Sequence, residues 1–334
     1  MILVTGSSGL VGSHLLYDLI LKKERVLAMY RSEKRKARVE QLFNHYNQTL
    51  HQSVDYNDIK WVQSDILDVD SFEEAVKGVD RVIHCAALVS FHKMDFSRCI
   101  AINRAGTANV VNLCLKHGIK KLCYISSTAA LGTRDCPVTE STPWTPGKEV
   151  SGYSISKHGA EKEVFRGIAE GLNASIVNPC VILGPGHWYR SSLTIMQAAS
   201  RGMRFYPSGA NAIVDARDVS RVVLELLASK ESGEKYLLIG KNIRFEELFG
   251  KIGKAFNKAK PSIRINKQLA LFVAYFMESL YRLFRKRSPV SVESIQASFK
   301  SLEYSNAKVV KRFNYQFHSI EDTIENTIKG RFND

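Results

Sequence analysis

The segment Tyr153-Ser154-Ile155-Ser156-Lys157 sets a phenol and an ammonium four residues apart. On a helix, residues at that spacing share a face, so the two groups are neighbours. A nearby cation favours the phenolate and draws a tyrosine down from its usual pKa of about 10 toward the range of an acid–base catalyst. Pairs of this spacing are also common on solvated helix faces, where they have no such use. Ser127 separates this one from that background, because it follows an apolar run, 122–126, that reads as a strand. In a parallel sheet ligands bind beyond the carboxyl ends of the strands, so the Ser127 hydroxyl would face the cleft and hold a substrate oxygen against Tyr153. The chemistry open to these three groups is proton transfer at an oxygen whose bonding changes.

The amino terminus supplies a second constellation. Met1-Ile2-Leu3-Val4-Thr5-Gly6-Ser7-Ser8-Gly9-Leu10-Val11-Gly12 is an apolar strand running into a glycine-rich turn, and the helix that follows has Leu15, Leu16, Leu19 and Ile20 on one face. Gly6 permits the sharp turn, Gly9 lets the backbone approach a pyrophosphate, and Gly12 lets the helix pack close to the sheet. The helix start then offers unpaired N–H groups and a partial positive charge to phosphates. Three glycines alone can be just a turn; the strand before and the helix after make a dinucleotide site the expectation. At the end of the second strand, Met29-Tyr30-Arg31-Ser32 carries no acid to bond a ribose 2′-hydroxyl. Arg31, with Lys34 or Arg35 behind it, suits a 2′-phosphate instead, so NADP(H) is expected over NAD(H).

The elements that must position these groups alternate. Strands are expected at 2–5, 26–30, 60–63, 81–85, 122–126 and 175–178, with helices at 71–76, 103–117 and 153–169 between them. Uncharged strand centres separated by helices specify an α/β fold with a doubly wound parallel sheet of about seven strands. The long polar segment 31–59 is expected to hold a helix at 37–46 and a mobile loop. Near Asn178-Pro179 and Gly184-Pro185-Gly186 the rhythm breaks. Residues 1–178 therefore read as a nucleotide-binding domain, and 179–334 mainly as a smaller substrate lobe, partly interleaved with the sheet and with a short strand at 236–239.

Taken together, these motifs resemble the extended branch of the short-chain dehydrogenase/reductase superfamily, the NAD-dependent epimerase/dehydratase family, over nearly the whole chain. The matching pieces are the glycine turn, Asp65-Ile66, His84-Cys85-Ala86-Ala87, Asn103-Arg104-Ala105-Gly106-Thr107, Tyr124-Ile125-Ser126-Ser127, Tyr153 to Lys157, and Asn178-Pro179. The resemblance implies a Rossmann-type sheet, Tyr153 as proton donor or acceptor, Lys157 on the nicotinamide ribose and lowering the tyrosine pKa, and Ser127 holding the reacting oxygen. It also implies Asp65 and Ile66 at the adenine, Ala86 and Ala87 along the cofactor groove, and Asn178 and Pro179 among the cofactor contacts. Asn103 has either a supporting role there or a purely structural one.

Sugar-nucleotide epimerases place a diphosphate-gripping arginine where this chain has Asn211, and the stretch Asn178 to Gly186 is closer to dihydroflavonol reductases and steroid dehydrogenases. The expected function is NAD(P)H-dependent reduction of a ketone or aldehyde, or oxidation of a secondary alcohol. A nucleotide-sugar epimerase or dehydratase and a non-catalytic NAD(P) sensor are the alternatives. Phe91, His92, His187, Trp188 and Tyr189 are candidate lining for an apolar or aromatic substrate.

Composition narrows the remaining classes. The chain has 334 residues, 45% of them hydrophobic, and a formal net charge of +14. The basic residues cluster at 31–38 and 282–287 without a basic-aromatic module, so nucleic acid is not expected as a partner. Six cysteines without a C-x-x-C pair and nine scattered histidines predict free thiols and no metal. A strand at residue 2 leaves no room for a signal peptide, so a cytoplasmic location is expected, and a homodimer is compatible with the chain. A helix at 268–287 lines up Leu269, Phe272, Val273, Phe276, Leu280 and Leu283. That face is expected to pack over the substrate cleft; the alternative is a helix lying on a membrane, with Arg282, Arg285, Lys286 and Arg287 reaching headgroups.

Overall fold

In a strand, alternate side chains point to opposite faces, and the first strand shows the consequence: Ile2 and Val4 enter one core while Leu3 enters another. The computed structural model describes all residues except 134, 135, 148, 149, 190, 285, 333 and 334. Arg285 of the basic cluster thus lies outside the described residues. The strands that matter here are β1 (Ile2–Thr5), β2 (Val26–Tyr30), β3 (Lys60–Gln63), β4 (Arg81–His84), β5 (Lys121–Ile125), β6 (Ala174–Pro179), β7 (Val181–Leu183), β8 (Ala210–Asp215), β9 (Lys235–Leu238) and β10 (Lys241–Arg244). Seven form one sheet in the order β9-β6-β5-β4-β1-β2-β3. Every neighbouring pair in it is parallel. The strand order reverses between β1 and β4, which opens a crevice at the carboxyl ends of those two strands.

Helices cover both faces. On one side α1 (Leu10–Leu21) and α2 (Glu33–Leu50) bury Leu15, Leu16, Leu19, Val39 and Phe43 with Ile2 and Val4. On the other, α3 (Val69–Val76), α4 (Gly106–Lys116) and α5 (Gly152–Ala169) bury Phe72, Val110, Val111, Ala160 and Val164 with Leu3. α6 (Ala216–Ala228) joins the first face through Val219, Val222 and Val223. A three-stranded sheet, β10-β8-β7, carries a third core around Trp188, Met196, Ile213 and Ile252.

Several expectations needed correction. α2 runs for 18 residues rather than ten: it begins directly after extended Ser32 and continues beyond Tyr46 until His51, in the left-handed region, ends it. The strand expected in the lobe at 236–239 is β9, which completes the large sheet against β6. The largest correction concerns α7 (Lys267–Leu283), which ends four residues early. Leu269, Phe272, Val273, Phe276, Leu280 and Leu283 are all exposed, and only Ala274 is buried. The helix therefore does not lay that face over the cleft. Its opposite side packs on α8 (Val292–Ser298), where Glu278 accepts the Val292 N–H at 2.9 Å. Among the described residues, no helix is long and apolar enough to cross a membrane.

Candidate active site

The turn after β1 is shaped by steric need. Gly6 has φ +64°, and a Cβ there would lie 2.6 Å from the Ala86 backbone nitrogen; one on Gly12 would lie 2.3 Å from the Gly6 carbonyl oxygen. Neither position tolerates a side chain without moving backbone. α1 then begins with Gly9 extended, no side chain on its first N–H groups and no acid in its first turn. Such a helix start suits a pyrophosphate, so the residues present fit a dinucleotide.

A cleft of about 1280 Å³ opens at this turn. Gly6, Ser8, Gly9, Leu10, Val11, Gly12, Arg31, Asp65, Ile66, Ala86, Ala87, Ser127, Tyr153, Lys157 and Pro179 all border it, which brings most of the expected site together. Three expected residues stand behind its wall instead. Ser7 is buried and donates from Oγ to the Met29 carbonyl at 2.7 Å, tying the turn to β2. Asn103 is buried in a π-helical stretch, Ile100–Ala105, that leads into α4. Its Nδ2 donates to the Leu88 carbonyl and to Ser156 Oγ, while its Oδ1 accepts the Leu88 N–H. That amide is spent on protein, which corrects the cofactor-contact assignment in favour of the structural one. Asn178 donates to the Ser127 carbonyl at 2.9 Å and to Glu161 Oε1, so it steadies Ser127 rather than touching the cleft.

At the carboxyl end of β5, the Ser127 hydroxyl stands beside the Tyr153 phenol and favours its ionised form. The Phe91 and Tyr153 rings meet edge-on, with centroids 5.7 Å apart. The expected lowering of the tyrosine pKa is not found. Burial is the dominant influence and pushes Tyr153 up to about 12, with the neighbouring Ser127 hydroxyl working against it. Lys157 does not counter this, because its ammonium is aimed elsewhere. Nζ donates to the Tyr124 hydroxyl at 2.7 Å and to the Ile125 carbonyl at 2.8 Å. Burial lowers Lys157 to about 7. Beneath it, buried Glu161 accepts from Ser126 Oγ and lies 3.8 Å from Lys235 of β9, with its carboxyl raised by burial. Glu161 and the role of Tyr124 were missed in the sequence, although Glu161 stands four residues beyond Lys157 on the same helix face.

At the other end, Arg31, Arg35 and Arg38 border the cleft. Lys34 does not, and Arg38, one turn beyond Arg35, was detectable from its spacing. Arg31 Nη1 lies 3.6 Å from the Asp65 carboxylate. The far end is walled by Ile182, Ile195, Phe245, Phe249 and Leu302, with Asn211 also on its border. Phe91, His92, His187 and Tyr189 line the cleft as expected, whereas Trp188 is fully buried in the third core with Phe256 against its ring. At the rim, Arg287 and Arg98 both pair with buried Asp95, which also accepts from Ser90.

The family model for the NAD dependent epimerase/dehydratase family matches residues 2–240. Sterol demethylase protein B of Methylococcus capsulatus is 28% identical over 298 residues, covering 86% of this chain and 84% of that one. A dihydroflavonol 4-reductase-like protein of Synechocystis sp. is 25% identical over 337 residues, covering 97% and 92% respectively. The crystal structure of gox2253 aligns with a TM-score of 0.78 at 28% identity, over 99% of this chain and 97% of that one.

Proposed function

The chain belongs to the NAD dependent epimerase/dehydratase family, an extended short-chain dehydrogenase/reductase group, and from that premise we propose that it interconverts a carbonyl and a secondary alcohol on an apolar or aromatic small molecule, using NADP(H). Membership itself makes it an NAD-dependent enzyme of oxidoreductase or epimerase type. The finer reading is carried by one observation: Ser127 and Tyr153 border the same cleft as the glycine turn.

The bound cofactor supplies the hydride chemistry; the protein supplies placement and proton transfer. Tyr153, held at about 12, keeps its proton at neutral pH and is in the right state to give it to a substrate oxygen. Ser127 orients that oxygen and stabilises charge developing on it. We assign Lys157 to the ribose; its bond to the Ile125 carbonyl also fixes the strand end that carries Ser127. Arg31, Arg35 and Arg38 favour a 2′-phosphate, and no acid ends β2 to bond a 2′-hydroxyl. In this division of labour residues 1–178 hold the cofactor, while 179–334 mainly shape the substrate end.

The apolar far wall supports the substrate class, as does Asn211 in place of a diphosphate-binding arginine. The test is a cofactor-oxidation screen over ketones, aldehydes, sterols and nucleotide sugars. Turnover of an apolar ketone or sterol with NADPH is expected. Interconversion of nucleotide sugars without net cofactor consumption would overturn the proposal in favour of an epimerase.

A further inference from the structure

α7 is apolar on both sides. Its inward side carries Ala270, Leu271, Ala274 and Met277. The outward stripe follows helical spacing through Leu269, Phe272, Phe276, Leu280 and Leu283, and is exposed by 61, 70, 60, 39 and 77% respectively. At its amino-terminal end exposed Ile263 and Phe205, partners in a short parallel pair, add to the apolar surface. A water-facing helix side normally carries polar and charged residues, and a contiguous exposed apolar patch marks a surface that something covers.

Charge identifies the occupant. Between residues 256 and 290 the sequence holds eight basic residues and a single acid, Glu278, which is turned inward to the Val292 N–H. Exposed Arg264 and Lys267 stand at the amino-terminal end of the stripe, and exposed Arg282 and Lys286 at its carboxyl-terminal end. Arg287 is excluded, being committed to Asp95. We propose that this face docks on an anionic lipid surface, with α7 lying flat, its phenylalanines and leucines among the acyl chains and its basic ends at the headgroups. A second copy of the chain is a poor occupant, because in a two-fold pairing across the stripe each basic end meets another basic end. The docked helix packs on α8, and Ser291, Glu293 and Ala297 in and beside α8 border the cleft, so the lipid surface lies one helix away from the site.

The test is flotation of the full chain with phosphatidylcholine vesicles, with and without about one-third phosphatidylglycerol. Binding to the anionic vesicles is expected, weakened by salt. The double variant Phe272→Ser/Phe276→Ser should lose roughly tenfold or more of it at an unchanged melting temperature, since both rings are exposed. Arg282→Glu/Lys286→Glu should abolish the preference for anionic over neutral lipid. The proposal is overturned if the wild type floats with neither vesicle, or if both double variants bind as the wild type does. It is equally overturned if sedimentation shows a dimer that Phe272→Ser/Phe276→Ser dissociates, because the stripe is then covered by a second copy.

Discussion

The two ends of the cleft are built by different means. At the glycine turn the surface is mostly backbone, held so tightly that a single methyl on Gly6 or Gly12 would strike main-chain atoms. At the far end it is a mosaic of side chains, Ile182, Ile195, Phe245, Phe249 and Leu302, brought from segments more than a hundred residues apart. Main-chain geometry suits a ligand whose shape never changes, such as a pyrophosphate. A side-chain mosaic can be altered one residue at a time, and it is where the proposed function puts specificity.

Substitutions can break or sharpen this contrast. The largest effect is expected where the two ends meet: Tyr153→Phe removes the proposed proton donor, so turnover should fall by about 10²- to 10⁴-fold with cofactor affinity nearly unchanged. Steady-state kinetics beside calorimetric titration checks both halves, and wild-type turnover would show that the chemistry lies elsewhere. Gly12→Ala forces a methyl to 2.3 Å from the Gly6 carbonyl oxygen. Overpacking of this kind costs about 1–3 kcal/mol, so a lower melting temperature and weakened cofactor binding should appear together; an unchanged affinity would mean the turn is not the cofactor site. Arg31→Ala should weaken NADPH by roughly tenfold or more, the scale of a hydrogen bond to a charged group, while leaving NADH nearly unaffected. A protein that prefers NADH, indifferent to this change, would end the phosphate argument.

The smallest effect is a pH slope. Lys157 is lowered to about 7 in the fold against an ordinary lysine value of about 10.4. Between those values the unfolded chain binds the extra proton, so this residue makes stability rise with pH there and adds no slope below about 7. Melting temperatures from pH 7 to 10 should therefore climb more in the wild type than in Lys157→Met. Equal slopes would mean that the buried ammonium keeps its charge throughout.

Much of the glycine-turn end was legible because backbone demands leave a residue signature: glycine where φ is positive, an apolar strand before it, a serine at a strand's carboxyl end. β1, β2 and β3 fall at their expected bounds for the same reason. The direction of Lys157 was not legible, since helix spacing places it beside Tyr153 but a neighbouring strand's Tyr124 and Ile125 decide where its ammonium goes. Asn103 misled for a related reason: its motif was clear, but Leu88 and Ser156 claim its amide. For α7, one apolar face was read as a buried face. Its inward side is built of residues as small as Ala270 and Ala274, which give a weaker signal than the phenylalanines pointing away.

β9 carries a consequence for anyone who would cut this protein in two. All six residues of β6 are buried, and on one side its backbone is paired only by a strand arriving some fifty-five residues later. A fragment ending at 178 would retain the glycine turn and the tyrosine yet expose that buried strand as a raw edge, a template for intermolecular pairing. The two halves are thus stitched rather than tethered. Exchanging the far end of the cleft between relatives would have to leave β9 in place as part of the large sheet, so the exchanged piece is two segments, one on each side of β9.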